Sequence, residues 1–323
     1  MTTLLSIAIP TYNRAHLLDQ QLAWLSNAIQ GFESQCEIII SDNCSTDNTS
    51  EIIQKWLPHF EKSALWINRN PANIGAVKNI AYCISVARGK HVWIISDDDR
   101  MNEKALPYVL NTLSNTPDLG LLVLNYSGRN PKTGELSYEA CFNLSMDISS
   151  SIGRPIFEKC LEERAGAGLA LTTALVYRTD LVRWALFDWH DGISNFFVQL
   201  YWTAFCALHG SMLVTGDRYF ECTTNEHHFT TKPELYVQAK YADLSAIYFK
   251  LIDMGFSYEL CKKLIVSRFK QMKPKLLLKA LSRRPAAMAI ALINILGLVV
   301  KIHWVGLHKP AEAPALTSTD TAY

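Results

Sequence analysis

At 323 residues, with 49% hydrophobic and 11% aromatic side chains, the chain has globular composition and the length to bury one large core. Its net charge of +1 conceals an asymmetry: residues 262–323 carry 11 Lys and Arg against Glu312 and Asp320, leaving about −8 for the rest. The acidic body argues against nucleic-acid binding. The eight cysteines show no CxxC and no zinc-type spacing, which excludes a metal-finger reading and leaves reduced thiols in a cytosolic setting as the expectation.

The N-terminus, MTTLLSIAIPTYNR, lacks the basic and apolar regions of a secretory signal. LLSIAIP (4–10) predicts a strand ended by Pro10, and leucines at helical spacing predict a helix over 14–30. CEIIISD (36–42) predicts a second strand, TDNTSEIIQKWL a helix with a Thr or Asp cap, and ALWINR (64–69) a third strand. A helix over 75–88, the strand HVWIIS (91–96), a helix over 102–114 despite Pro107 and the strand 120–127 complete the first half. Strands alternating with helices imply parallel pairing, and continuous apolar strands imply cover on both faces. Beyond 128 the alternation breaks. A polar loop or hairpin precedes a helix at 155–164, the strand LALTTALVYR (169–178), an aromatic-rich stretch over 180–209 and two short strands, SMLVTG and RYFECTT. From about 233 the chain reads as helical.

In open parallel sheets ligands sit beyond the carboxyl ends of the strands. Thr11-Tyr12-Asn13, Asp42-Asn43, Arg69-Asn70 and Asp97-Asp98-Asp99 each follow a predicted strand directly, so all should gather along one edge. Tyr12 could stack on a base or sugar, Asp42 could accept a base N–H, and Asn73, Gly75 and Lys78 could meet a phosphate. Each also has a plainer use as a packing, turn or capping residue. No glycine-rich phosphate cradle is present. Three adjacent aspartates exceed what a helix cap needs, and carboxylate oxygens at that density suit Mg²⁺ or Mn²⁺.

IAIPTYNR, IIISDNCSTDNT, NRNPANIGAVKNIA and GKHVWIISDDDRM, in this order and spacing, resemble the family 2 glycosyltransferases over about residues 4–127. The resemblance implies the GT-A fold, an α/β architecture with a mostly parallel central sheet flanked by helices. It also implies inverting sugar transfer from a nucleotide-diphospho-sugar with a divalent cation, Mg²⁺ or Mn²⁺, held by a DXD-like motif. Residue by residue, it sets Pro10, Thr11 and Tyr12 beside the nucleotide, Asp42 on the base, and Asn73 and Lys78 near the nucleotide or phosphates. The family's usual L-D-x-D-D reads here with Ser96 in place of the first Asp. Donor contacts then fall to Asp97 and Asp98 and metal contacts to Asp98 and Asp99. A late His on the metal is also implied, with His227 and His228 as candidates. For the acceptor base, no Glu-Asp pair appears, and Asp191 and Asp188 in FDWHDGISN are the candidates, Asp191 slightly favoured.

The tail has its own pattern. LCKKLIVSRFKQMKPKLLLKALSRR carries nine basic residues and no acid, and an apolar run from Pro285 to Val300 follows, short for a membrane span. Residues 260–309 therefore predict a membrane-surface segment. The expected organisation is a nucleotide-sugar half (1–127), an acceptor half (128–232) and a helical C-terminal region (233–323). The expected activity is glycosyl transfer to a lipid-linked saccharide in surface polysaccharide or O-antigen synthesis, at the cytoplasmic face of the inner membrane. A non-catalytic nucleotide-sugar-binding protein and a nucleotidyltransferase are the alternatives.

Overall fold

The computed structural model describes residues 3–164, 168–224 and 232–271, together with individual residues between 274 and 300. The first half alternates as expected: β1 (Leu5–Thr11), α1 (Ala15–Ala28), β2 (Cys36–Asp42), α2 (Thr49–Trp56), β3 (Ala64–Arg69), α3 (Ala76–Val86) and β4 (His91–Ile94). A two-residue strand β5 (Arg100–Met101) and helix α4 (Ala105–Asn115) lead into β6 (Leu119–Arg129). Pro107 lies in the first turn of α4, where its missing N–H leaves no intrahelical bond unmade.

The second half adds β7 (Leu136–Tyr138), β8 (Ile148–Ser150), α5 (Arg154–Arg164), β9 (Leu175–Arg178), α6 (Thr179–Asp188), α7 (Val198–His209) and β10 (Ser211–Thr223). Helices α8 (Pro233–Val237), α9 (Leu244–Asp253) and α10 (Tyr258–Lys270) follow, with a π-helical segment, Gln238–Asp243, joining α8 to α9. The strands form one sheet in the order β3-β2-β1-β4-β9-β6-β10-β5, with β7 beside β6 and β8 beside β10. Pairings among β1 to β4 and between β6 and β10 are parallel. Strand β9 runs antiparallel between β4 and β6. Most buried apolar side chains from Leu5 to Ile265 pack into one core, and Val237, Tyr241 and Ala242 form a smaller cluster beside it.

Four expectations need correction. Only 175–178 of the predicted 169–178 strand is extended, because Thr172–Ala174 forms a 3-10 turn. The Thr173 carbonyl of that turn accepts from Trp93 Nε1 at 2.8 Å, which ties the turn to β4. The two strands expected over 211–224 are one strand, β10, whose register against β6 shifts between Val214 and Arg218. At Gly216, within that irregular stretch, a Cβ would lie 2.8 Å from the Met146 backbone, so glycine is what lets the 140–147 loop cross the strand. Strand β3 is not covered on both faces. It is the sheet edge, and Trp66 is 46% exposed there.

The fourth correction concerns the tail. Most of helix α10 falls in the predicted membrane-surface segment, yet Cys261, Leu264 and Ile265 are buried against the core. Its spacing of apolar side chains serves packing on α9, so any surface-seeking segment starts beyond Gln271. Among the described residues no helix is long and apolar enough to cross a membrane. All eight cysteines are free thiols, and all but Cys44 are buried.

Candidate functional site

The carboxyl ends of the first strands line up in register. Thr11 pairs with Asp42 and Asp42 with Arg69, so the loops beyond them converge on one edge. Asn43 N donates to Thr11 O at 2.9 Å and Asn70 N to Asp42 O at 2.8 Å, extending the alignment by one residue on each strand. The turn after β1 reverses through Asn13 at φ 52°, a left-handed position that asparagine tolerates. Its side-chain oxygen accepts from Thr46 N at 2.7 Å, latching this turn to the loop after β2.

A cavity of about 440 Å³ opens at this edge, bordered by Pro10, Thr11, Tyr12, Asn73, Gly75 and Asp97, with Ile80 and Ile94 as apolar floor. Gly75 has φ +88°, a conformation that frees the chain to enter α3 from the Asn73 turn. Behind the wall lies an amide network. Asn79, 2% exposed, accepts from Ser41 Oγ at 2.7 Å and Asn70 Nδ2 at 3.0 Å, and donates to Ser41 O at 2.9 Å. Asn43 Nδ2 donates to Asn73 Oδ1 at 2.9 Å and carries the network to the rim. Buried amides with every partner present set this wall rigidly.

The aspartate triplet follows β4. Its backbone is held from both sides: Ser96 N donates to Thr173 Oγ1 at 2.9 Å, and Thr223 Oγ1 donates to Asp98 O at 3.2 Å. Asp97 is buried and accepts from Thr11 Oγ1 at 2.8 Å. Arg14 Nη1 reaches Asp97 Oδ1 at 2.8 Å and Asp98 Oδ2 at 3.0 Å. Burial opposes the charge on Arg14, but the two carboxylates outweigh it and hold the guanidinium above its ordinary value. Asp98 also accepts from Ser96 Oγ. Asp99 is 5% exposed, and its Oδ2 has no hydrogen-bond partner. Burial, then the neighbouring Asp98 charge, pushes its carboxyl up to about 7. A second cavity, about 430 Å³, lies on this side and is bordered by Arg14, Gln20, Trp24, Asp98, Asp99 and Thr223, among others. Arg14 and Asp97 border both cavities.

The donor chemistry suits a hard divalent cation in part. Asp98 and Asp99 offer carboxylate oxygens, and the orphaned Asp99 Oδ2 is the kind of buried atom that a cation would satisfy. Among the described residues, however, no three acidic, His or Cys side chains converge as a ready cage. A cation held here would need further ligands from its substrate.

Other expected residues fall less close. Asp42 is 2% exposed and sits behind the cavity wall, where Arg69 Nη1 at 2.7 Å and Ser45 N at 2.9 Å take its two oxygens. Lys78 lies in the first turn of α3 and does not border the cavity. Asp188 accepts from the Tyr201 hydroxyl, and Asp191 is 99% exposed on the turn His190–Ser194. Neither borders either cavity, because that turn leaves the end of α6 toward solvent. His227 and His228 lie outside the described residues. Arg14 and Thr172 belong to the site without having been singled out by sequence, whereas Asn43 was expected at this edge. For Arg14 the available signal was its place three residues after the strand-ending Thr11.

A third, wider cleft of about 1180 Å³ adjoins the triplet through β5. It is lined by Tyr108, Tyr138, Tyr219, Lys104, Arg164 and Asp217, among others. Tyr108 and Tyr219 stack with centroids 4.3 Å apart, and Asn102 N donates to Tyr219 O at 2.9 Å.

The parallel-stranded edge, with its cavity and the aspartate triplet after the fourth strand, is that of a GT-A fold. Residues 6–158 match the model of Glycosyl transferase family 2. The first 349 residues of TarS from S. aureus superpose with a TM-score of 0.60 and 16% identity, over 96% of this chain and 93% of that one. The mannosyltransferase PcManGT from Pyrobaculum calidifontis, solved with GDP-Man and Mn²⁺, gives 0.55 and 15%, over 96% and 82%. Abequosyltransferase RfbV of Salmonella typhimurium is 35% identical over 118 residues, 36% of this chain and 35% of its own. A Campylobacter jejuni GalNAc(5)-diNAcBac-PP-undecaprenol beta-1,3-glucosyltransferase is 31% identical over 102 residues, 32% of each. These sequence matches span about a third of the length of either relative.

Proposed function

We propose that the chain is an inverting glycosyltransferase, moving a sugar from a nucleoside diphosphate to a hydroxyl of a lipid-linked saccharide in surface polysaccharide synthesis. The observation that carries this is the cavity between the Pro10–Tyr12 turn, the Asn73–Gly75 turn and Asp97. It has the lining a nucleotide needs, with Tyr12 at its mouth and buried amides behind. The acceptor hydroxyl attacks the anomeric carbon from the face opposite the diphosphate. The new C–O bond forms as the bond to the phosphate oxygen breaks, and the hydroxyl proton passes to a carboxylate. Asp191, without the Tyr201 bond that occupies Asp188, is the candidate for that carboxylate, and it serves only if its solvent-facing turn moves over the bound acceptor. Asp98 and Asp99 would hold Mg²⁺ or Mn²⁺, which supplies charge stabilisation for the departing diphosphate. The tyrosine-lined cleft beside β5 offers flat apolar faces and charged rims suited to the saccharide acceptor.

The decisive assay incubates the full chain with UDP-, GDP-, CDP- and dTDP-sugars and Mn²⁺ and measures nucleotide release. One donor class should release, and an Asp191→Asn chain should bind that donor but turn over far more slowly. Binding without release by the unaltered chain would favour a non-catalytic nucleotide-sugar-binding protein, and neither binding nor release would end the proposal.

Membrane attachment belongs to the same proposal. The Campylobacter jejuni relative is named for an undecaprenol-linked saccharide acceptor. In the tail, the helical residues Ile293, Leu296 and Val300 are 63% to 68% exposed at i, i+3 and i+7. An apolar stripe beside a basic segment suits the anionic face of the inner membrane. Full-length chain should float with vesicles containing phosphatidylglycerol, and a chain ending at Gln271, which keeps α10, should not. Equal flotation of both would remove the tail from the account.

A further inference from the structure

The charge balance at the triplet differs from that of an open cation site. One nitrogen of Arg14, delivered by the turn between β1 and α1, bridges carboxylates of two successive aspartates at 2.8 and 3.0 Å. Arg14 is 29% exposed at its side chain, and it borders both the donor cavity and the cavity beside Asp99. Asp97 cannot move away, because Thr11 Oγ1 holds its other oxygen at 2.8 Å. Of the three carboxylates only Asp99 keeps an unpartnered buried oxygen. A divalent cation entering between Asp98 and Asp99 therefore meets a fixed positive charge within a few ångströms, in a partly buried setting where screening is weak.

We propose that Arg14 is a resident counter-cation that compensates part of the charge on Asp97 and Asp98 until a nucleoside diphosphate arrives, making metal binding dependent on the nucleotide. The diphosphate brings the negative charge and oxygen ligands that the protein lacks, so metal and nucleotide enter together. The planar guanidinium, released from Asp98, can then turn its fork to the diphosphate from the cavity it already borders. Before the nucleotide binds, Arg14 acts on the metal site through Asp97 and Asp98. This inference rests on the nucleotide-sugar reading given above.

Mn²⁺ binding tests it without reference to turnover. Titrating the full chain with Mn²⁺ alone, followed by the EPR signal of free ion, should show weak binding that tightens at least about tenfold when the matching nucleoside diphosphate is added. Arg14→Gln keeps length and polarity but removes the charge. It should bind Mn²⁺ alone about tenfold more tightly than the unaltered chain and gain much less from the nucleotide. Arg14→Lys, which keeps the charge, should resemble the unaltered chain in Mn²⁺ affinity. The proposal is overturned if Mn²⁺ binds the unaltered chain as tightly alone as with nucleotide, or if Arg14→Gln binds it no more tightly. The first criterion needs no variant, so a poorly folded Arg14→Gln would leave it decisive. If UDP, GDP, CDP and dTDP all fail to bind with Mn²⁺ present, the nucleotide-sugar reading fails first. Nucleotide binding with metal-independent affinity would sink only the role of Arg14.

Discussion

Asp98→Asn is expected to lower nucleotide release at saturating donor by about 10²- to 10³-fold, the usual loss when a preorganised charge-stabilising group is removed. Asparagine keeps the shape and the link to Ser96, so the change is one of charge. The fold should survive, because Asp97 retains both Arg14 and Thr11 and the backbone retains its bond from Thr223. Thermal unfolding should accordingly move by only a few degrees. Release within tenfold of the unaltered chain would take the metal role away from Asp98.

The second large effect lies away from the donor cavity, at Asp243. This residue ends the π-helical segment, is 9% exposed, and reaches the start of α7. Its Oδ2 accepts from Phe196 N at 3.2 Å and its carbonyl from Asn195 Nδ2 at 2.8 Å. Burial pushes its carboxyl from 3.8 up to about 6, and the hydrogen bonds from Phe196 and Gln238 only partly oppose this. Between about pH 4 and 6 the folded chain therefore binds more protons here than the unfolded chain, and stability falls as pH rises through that window. Above pH 6 the cost is complete, on the order of 2 to 3 kcal/mol from the size of the shift. Asp243→Asn preserves an acceptor for Phe196 N and removes the charge. It should raise Tm by roughly 3–4 °C at pH 8, while matching the unaltered chain near pH 4. A difference in Tm that is the same at both pH values would show that Asp243 does not titrate in this range.

The first half of the fold was legible because its signals are local. Apolar runs of strand length, ended by Pro10, Asp42, Arg69 and the aspartates, alternate with stretches at helical spacing, and only parallel pairing places all those ends on one edge. Pro10, Thr11, Tyr12, Asn73 and Asp97 do border one cavity. The features hidden from sequence reading depend on partners distant along the chain. Asp42 looks like an available carboxylate until Arg69, 27 residues on, is seen to take it. Asp188 and Asp191 have the residue type of a base, but α6 ends so that one meets Tyr201 and the other meets solvent. The tail read as one amphipathic surface segment because core packing and membrane insertion ask for the same apolar spacing. Only the burial of Cys261, Leu264 and Ile265 separates α10 from the chain beyond Gln271.

By itself, then, the sequence determined the alternating α/β plan, the edge at which a ligand would sit, and the placing of three carboxylates there. These depend on periodicity and on residue type at strand ends, both properties of short stretches of chain. Tertiary structure alone decided how the carboxylates are compensated. Arg14 arrives from more than 80 residues away, Thr173 from a turn beside an antiparallel strand, and Thr223 from the end of β10. Charge compensation is a short-range interaction between chain-distant groups, so no local pattern could record that two of the three aspartates share a cation while the third keeps a bare oxygen.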